Sequence, residues 1–128
     1  MNWKIEAEKH AENIFPDESC GLLAIIEGEK KYWPCKNLSN ENFDYFIMDP
    51  EDYAKCEDQG EVIGLIHSHP HGSPYPSETD KAGCEFSGLE WHIYSLENKN
   101  WHSFKPSDWK PETLIGREWA WGLQDCWS

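Results

Sequence analysis

The chain has 128 residues, 24 of them acidic and 11 basic, for a formal net charge of −13. That length suits one domain with a single core. The charge argues against nucleic acid and against an anionic membrane surface, both of which need clustered Lys and Arg, and no apolar run reaches the roughly 18 residues of a membrane span.

Trp3, Ala7, Ala11, Ile14 and Phe15 recur at helical spacing between charged residues, which predicts an amphipathic helix over 3–15, ended by Pro16. Leu22 to Ile26 reads as an apolar strand, turned at Glu27-Gly28-Glu29 into a second strand through Tyr32 and Trp33. Phe43 to Met48 is expected to make a third. Asp49-Pro50-Glu51-Asp52 supplies a cap, a first-turn proline and first-turn acids, so a helix should run to about Gln59 with Gly60 as its stop. The continuous apolar run Val62-Ile63-Gly64-Leu65-Ile66 has the length and branching of a strand buried on both faces, reaching His67.

After the turn-rich loop His71 to Pro76, a helix is expected from about Ser77 to Phe86. Trp91 to Ser95 and Trp101 to Phe104 flank Glu97-Asn98-Lys99-Asn100 as a hairpin, and Pro106 to Pro111 reads as a linker. Hydrophobic residues are 38% of the chain, but eight Trp predict an aromatic-heavy core, with Trp119, Trp121 and Trp127 in the final segment. Five cysteines without paired spacing, and no amino-terminal apolar leader, fit a reducing cytoplasm.

The chemistry concentrates at His67-Ser68-His69-Pro70. Side chains two apart on an extended backbone point the same way, so the two imidazoles converge on one ion if the strand persists through Ser68. Ser77-Glu78-Thr79-Asp80 admits two readings. As a capping box, Ser77 and Asp80 satisfy helix-terminal N–H groups; as part of a site, Asp80 is a third ligand. Three protein ligands with one open position is the composition of a catalytic zinc site, and the chain has no Cys-x-x-Cys for a closed structural one. Glu18, between a helix and an apolar strand, is the best candidate for a base. His71 reads as an exposed loop residue, Cys84 as a small buried hydrophobe and Glu85 as surface.

Glu18 ahead of Gly21-Leu22-Leu23, then His67-x-His69-Pro70 with six residues to Ser77 and two more to Asp80, resembles the JAMM/MPN metalloprotease signature over about 100 residues. The resemblance implies an α/β fold, a cytidine deaminase-like sandwich with a mixed sheet flanked by helices, over residues 1–105. It implies that His67, His69 and Asp80 bind Zn2+, that Glu18 is the general acid/base and that Ser77 stabilises the oxyanion. It further implies hydrolysis of a peptide or isopeptide substrate.

Gly116 to Trp127, with Asp125-Cys126, resembles the entry into an NlpC-type cysteine peptidase domain, so residues 106–128 are expected to be a linker and the start of that domain. Cys126 matches its nucleophile. A thiolate needs a histidine partner; within these residues none follows Cys126, so the thiol is expected to be idle here. JAMM followed by NlpC-type is similar to the lambda-like phage tail tip assembly family. That resemblance implies other tail tip proteins as partners, and the host bacterial cytoplasm during assembly, or the virion tail, as location. The competing functional reading is a non-catalytic, zinc-stabilised module that docks partners at the tail tip.

Overall fold

In the computed structural model, which describes residues 2–39 and 46–108, α1 (Trp3–Ile14) precedes a hairpin of β1 (Cys20–Ile26) and β2 (Glu29–Cys35). Helix α2 (Pro50–Gln59) leads into β3 (Glu61–His69), and α3 (Glu78–Ser87) into the hairpin of β4 (Glu90–Ser95) and β5 (Asn100–Phe104). The strands form one mixed sheet in the order β2-β1-β3-β4-β5. β1 runs antiparallel to β2 and β3, β4 antiparallel to β5, and β3 parallel to β4. A parallel pair needs a crossover, and the loop after His69 together with α3 supplies it. The architecture is the α/β mixed sheet flanked by helices that the sequence predicts.

Strand parity sorts the helices onto faces. Leu22 lies opposite Leu65 in the β1–β3 register, so both share a face. On that face Cys56 of α2 packs with Cys20, Leu22 and Ala24, while Cys84 of α3 packs with Leu65, Trp91 and Ile93. The alternate residues Leu23 and Ile66 meet Ala7 of α1 on the opposite face, with Tyr32 beside them. His67 and His69 continue the parity of Leu65 and therefore point toward α3.

Each helix starts on a side-chain cap. Asn2 accepts from the Lys4 amide, Asp49 from Glu51, and Ser77 from Asp80. Gly60 stops α2 as predicted, but for a different reason. Its backbone is extended rather than left-handed, and a Cβ there would stand 2.1 Å from the Ile25 carbonyl oxygen, so close approach to β1 requires the glycine.

Two expectations are corrected. Among the described residues Phe43–Met48 is not a strand: 43–45 lie outside them, Phe46 and Ile47 are irregular, and Met48 makes one isolated bridge to Asn37. Two backbone bonds flank that bridge, from the Leu38 amide to the Ile47 carbonyl and from the Asp49 amide to the Lys36 carbonyl, but the Ile47 amide donates to the Asn37 side-chain oxygen, which also accepts from Ser39, so the pairing goes no further among the described residues. The core is also less aromatic than predicted. Trp91, Tyr32, Tyr94 and Phe104 are buried, but Trp3, Trp33 and Trp101 are only half-buried. Ala7, Ala11, Cys56 and Cys84 form the buried contact points of the three helices, and small side chains let helix and sheet approach closely. Trp119, Trp121 and Trp127 lie outside the described residues, as do Cys126 and all of the linker beyond Asp108.

Candidate metal centre

Strand β3 continues through Ser68 to His69, which meets the condition for its two histidines to face one way. Pro70 then ends the ladder. On the same side, α3 begins with the capping box: the Asp80 amide donates to Ser77 Oγ (3.1 Å) and the Ser77 amide donates to Asp80 Oδ2 (2.9 Å). The box turns Asp80 toward the strand. Its Oδ1 lies 3.1 Å from His67 Nε2 and its Oδ2 3.0 Å from His69 Nε2. One ligand atom from each of the three residues falls within 4.8 Å of the others. The capping reading of Ser77 and Asp80 holds, and capping is what orients the carboxylate toward both imidazoles.

The donor chemistry fits a divalent cation. His69 Nδ1 lies 2.8 Å from the Ser73 carbonyl, which can only accept, so Nδ1 donates there and Nε2 is the ring nitrogen turned to Asp80. His67 is 1% exposed, and neither ring nitrogen has a partner of hydrogen-bond geometry, although Asp80 and Glu18 carboxylates stand 3.1 and 3.5 Å away. As unprotonated donors, two imidazole nitrogens and a carboxylate converging on one point would repel one another unless a cation sat between them. Two nitrogens and an oxygen are ligands that zinc accepts. Without metal, a proton takes that place. Burial pulls the His67 imidazole down, but the Asp80 and Glu18 carboxylates standing beside its two nitrogens more than reverse it, raising its pKa to about 9. Burial likewise opposes ionisation of Asp80, whose pKa His67, His69 and the Ser77 amide hold well below the usual carboxylate range.

Glu18 is buried at the edge of this group, with Oε1 3.5 Å from His67 Nδ1. That is the ring nitrogen turned away from Asp80, so Glu18 is placed to accept its proton and fix the tautomer, as carboxylates behind metal-ligating histidines do. The carboxylate also lines the main cleft. Its backbone is held firmly. The Ser68 amide donates to the Ser19 carbonyl (3.1 Å), the Ser19 amide donates to Ser68 Oγ (2.9 Å), and Asn37 Nδ2 donates to the Glu18 carbonyl (3.0 Å).

An aromatic wall covers His67. Phe46 lies tilted over it at 4.6 Å between ring centroids, and Trp91 meets it edge-on at 5.5 Å. Phe46 and Trp91 were not anticipated as neighbours of the site, and neither was the Ser19–Ser68 pair. A polar residue between two site histidines was the one signal available for Ser68. His71 is exposed, with its ring near that of Phe15, Cys84 is fully buried and Glu85 exposed, each as expected.

The family model for prokaryotic homologs of the JAB domain matches residues 4–110. The tail tip assembly protein K of Escherichia phage N15 is 41% identical over 119 residues, 93% of this chain and 48% of that protein. Its counterpart in phage lambda is 37% identical over 81 residues, 63% of this chain and 38% of that one. The chain therefore spans about half the length, or less, of these two relatives. A CysO-cysteine peptidase of Mycobacterium tuberculosis is 35% identical over 78 residues, 56% of this chain and 53% of the peptidase. In fold, the chain is similar to a JAB1/MPN domain protein from Archaeoglobus fulgidus, with TM-score 0.51 and 23% identity over 79% of this chain and 80% of that one.

Proposed function

The chain belongs to the prokaryotic JAB (JAMM/MPN) family, and from that membership we propose that it is the zinc-dependent peptidase or isopeptidase portion of a phage tail tip assembly protein. The observation that carries this reading is the convergence of His67, His69 and Asp80, with His67 buried and its nitrogens without hydrogen bonds. A site that served only capping would have no use for two imidazoles aimed at the capping carboxylate.

His67 and His69 through their nitrogens, and Asp80 through its carboxylate, would hold the ion. Zinc bound there supplies Lewis acidity that polarises a scissile carbonyl and brings the pKa of water to about 7. Glu18, which lines the cleft, takes a proton and returns it to the leaving amine. Ser77 spends its oxygen lone pair on the Asp80 amide but keeps its O–H, which is free to donate to a developing oxyanion. Phe46 and Trp91 shield His67 from water and strengthen the electrostatics of the group.

The similarity to tail tip proteins supports other tail components as partners, and assembly in the host cytoplasm or residence in the virion tail. Residues 106–128, with Cys126, are proposed as the linker and the start of an NlpC-type domain. Metal analysis, combined with digestion of peptidoglycan fragments and of candidate tail proteins with and without chelator, tests the assignment. One zinc per chain with chelator-sensitive cleavage is the expected result. One zinc per chain with no cleavage, and tight association with a tail component, would replace it with the non-catalytic docking module.

A further inference from the structure

The cleft that opens onto Glu18, His69 and Asp80 is a cavity of about 920 Å³, at the upper end of what a drug-sized ligand fills. Its walls beyond the metal group are mostly apolar, with Phe46, Ile47 and Met48 from the segment before α2, and Phe86 and Trp91, against Thr79 and Ser87. Phe86 is 95% exposed and Ile47 50% exposed. A phenylalanine that exposed contributes nothing to the fold, since burial is what makes such a ring stabilising. It does border a cleft with convergent polar groups at its floor. On α3, Glu78 pairs with Lys81 at 3.2 Å and Glu85 adds a further carboxylate, in a chain whose formal net charge of −13 one divalent ion offsets only slightly.

Resting on the reading of this cleft as a peptidase site, we propose that it selects an extended, neutral or basic protein segment carrying a bulky apolar side chain beside the scissile bond, with Phe86 and Ile47 as the residues that recognise that side chain. The chain's net charge of −13 repels anionic peptides. Peptidoglycan stem peptides, with small side chains and free carboxylates, fit neither the apolar walls nor the charge. Of the two substrate sources the family reading leaves open, a protein segment is the one this cleft suits.

The test uses a random peptide mixture with blocked ends, digested by the zinc-loaded chain, with cleavage sites read by mass spectrometry. Binding of the same mixture to zinc-loaded Glu18→Gln is measured in parallel. Cleavage should concentrate beside Leu, Met, Phe or similar residues, and Phe86→Ser should reduce that preference about tenfold, the scale on which an apolar pocket discriminates. Ile47→Ser should act in the same direction, and Phe86→Glu should reject acidic peptides further. Cleavage without side-chain preference, or with a preference that Phe86→Ser and Ile47→Ser leave intact, overturns the proposal and spares the peptidase reading. Apolar peptides bound in a Phe86-dependent way but never cut support the cleft's selectivity and defeat the peptidase reading. Neither binding nor cleavage removes both.

Discussion

Gly83 and Trp91 are fitted to each other: a methyl group on Gly83 would stand 2.6 Å from Trp91 Cη2. The indole has little room to yield, being 5% exposed, donating from Nε1 to Ser87 Oγ at 3.0 Å and lying edge-on to His67. The helix that delivers Asp80 and the ring that walls His67 are thus spaced by a missing side chain.

Gly83→Ala should therefore destabilise the fold. Overpacking of this kind costs about 1–3 kcal/mol, offset by up to about 1 kcal/mol of helix propensity. Because Trp91 must move, zinc affinity should fall as well. Urea denaturation and zinc titration of the variant measure both, and a variant as stable as the parent with unchanged affinity would show that the indole shifts freely.

Ser68 ties the residue after Glu18 to the strand end that bears both histidines. Ser68→Ala leaves the Ser19 amide buried without its acceptor, at a cost of about 1–3 kcal/mol. Turnover should drop more than zinc affinity, since the histidines sit on β3 itself while Glu18 depends on the tie. Ser68→Thr, which keeps the hydroxyl, should restore turnover. Equal losses in affinity and turnover, or no rescue by Thr, would mean the pair serves stability alone.

Asp80→Asn is nearly isosteric and keeps an oxygen for the Ser77 amide, so α3 should retain its cap. Zinc should raise the melting temperature of the parent, as any ligand of the folded state does, and leave that of Asp80→Asn unchanged. Glu18→Gln should still bind one zinc and lose hydrolysis. Zinc stabilisation of Asp80→Asn equal to that of the parent would take Asp80 out of the ligand set.

His10 gives a pH test away from the metal group. Its Nδ1 shares a 2.6 Å hydrogen bond with the Tyr32 hydroxyl, and burial lowers its pKa below the usual 6.5. The unfolded chain then binds the proton more readily, so stability is complete above about pH 6.5 and is lost as pH falls through that value. His67, raised in the metal-free protein, works in the opposite sense and only above 6.5: its contribution is full below that value and is lost toward pH 9. Denaturation between pH 6.5 and 5 in chelator should thus show a shallower decline for His10→Gln than for the parent. Identical slopes would mean that His10 takes up its proton without penalty.

How much was legible beforehand can be judged residue by residue. The pairing of His67 with His69 followed from the two-residue period of a strand, and the cap at Ser77 from a local pattern, because both are decided within one element. Of the strand expected at Phe43–Met48, the described residues 46–48 make only an isolated bridge, because the Ile47 amide donates to the Asn37 side chain instead of extending the backbone pairing. Gly60 was identified as a helix stop by type, but the reason, a carbonyl on another strand, lay outside any local window.

By itself the amino-acid order determined the types of the candidate ligands, their spacing and the α/β class, because periodicity and capping are properties of neighbouring residues. Only the tertiary structure decided that Glu18 comes to His67. The β1–β3 register sets Cys20 opposite His67 and carries the chain on to the Ser19–Ser68 contact, across 49 positions. It also decided that Asp80 faces both imidazoles and that Phe46 and Trp91 enclose one of them. Contacts between distant segments depend on how whole faces pack, and no local pattern encodes that.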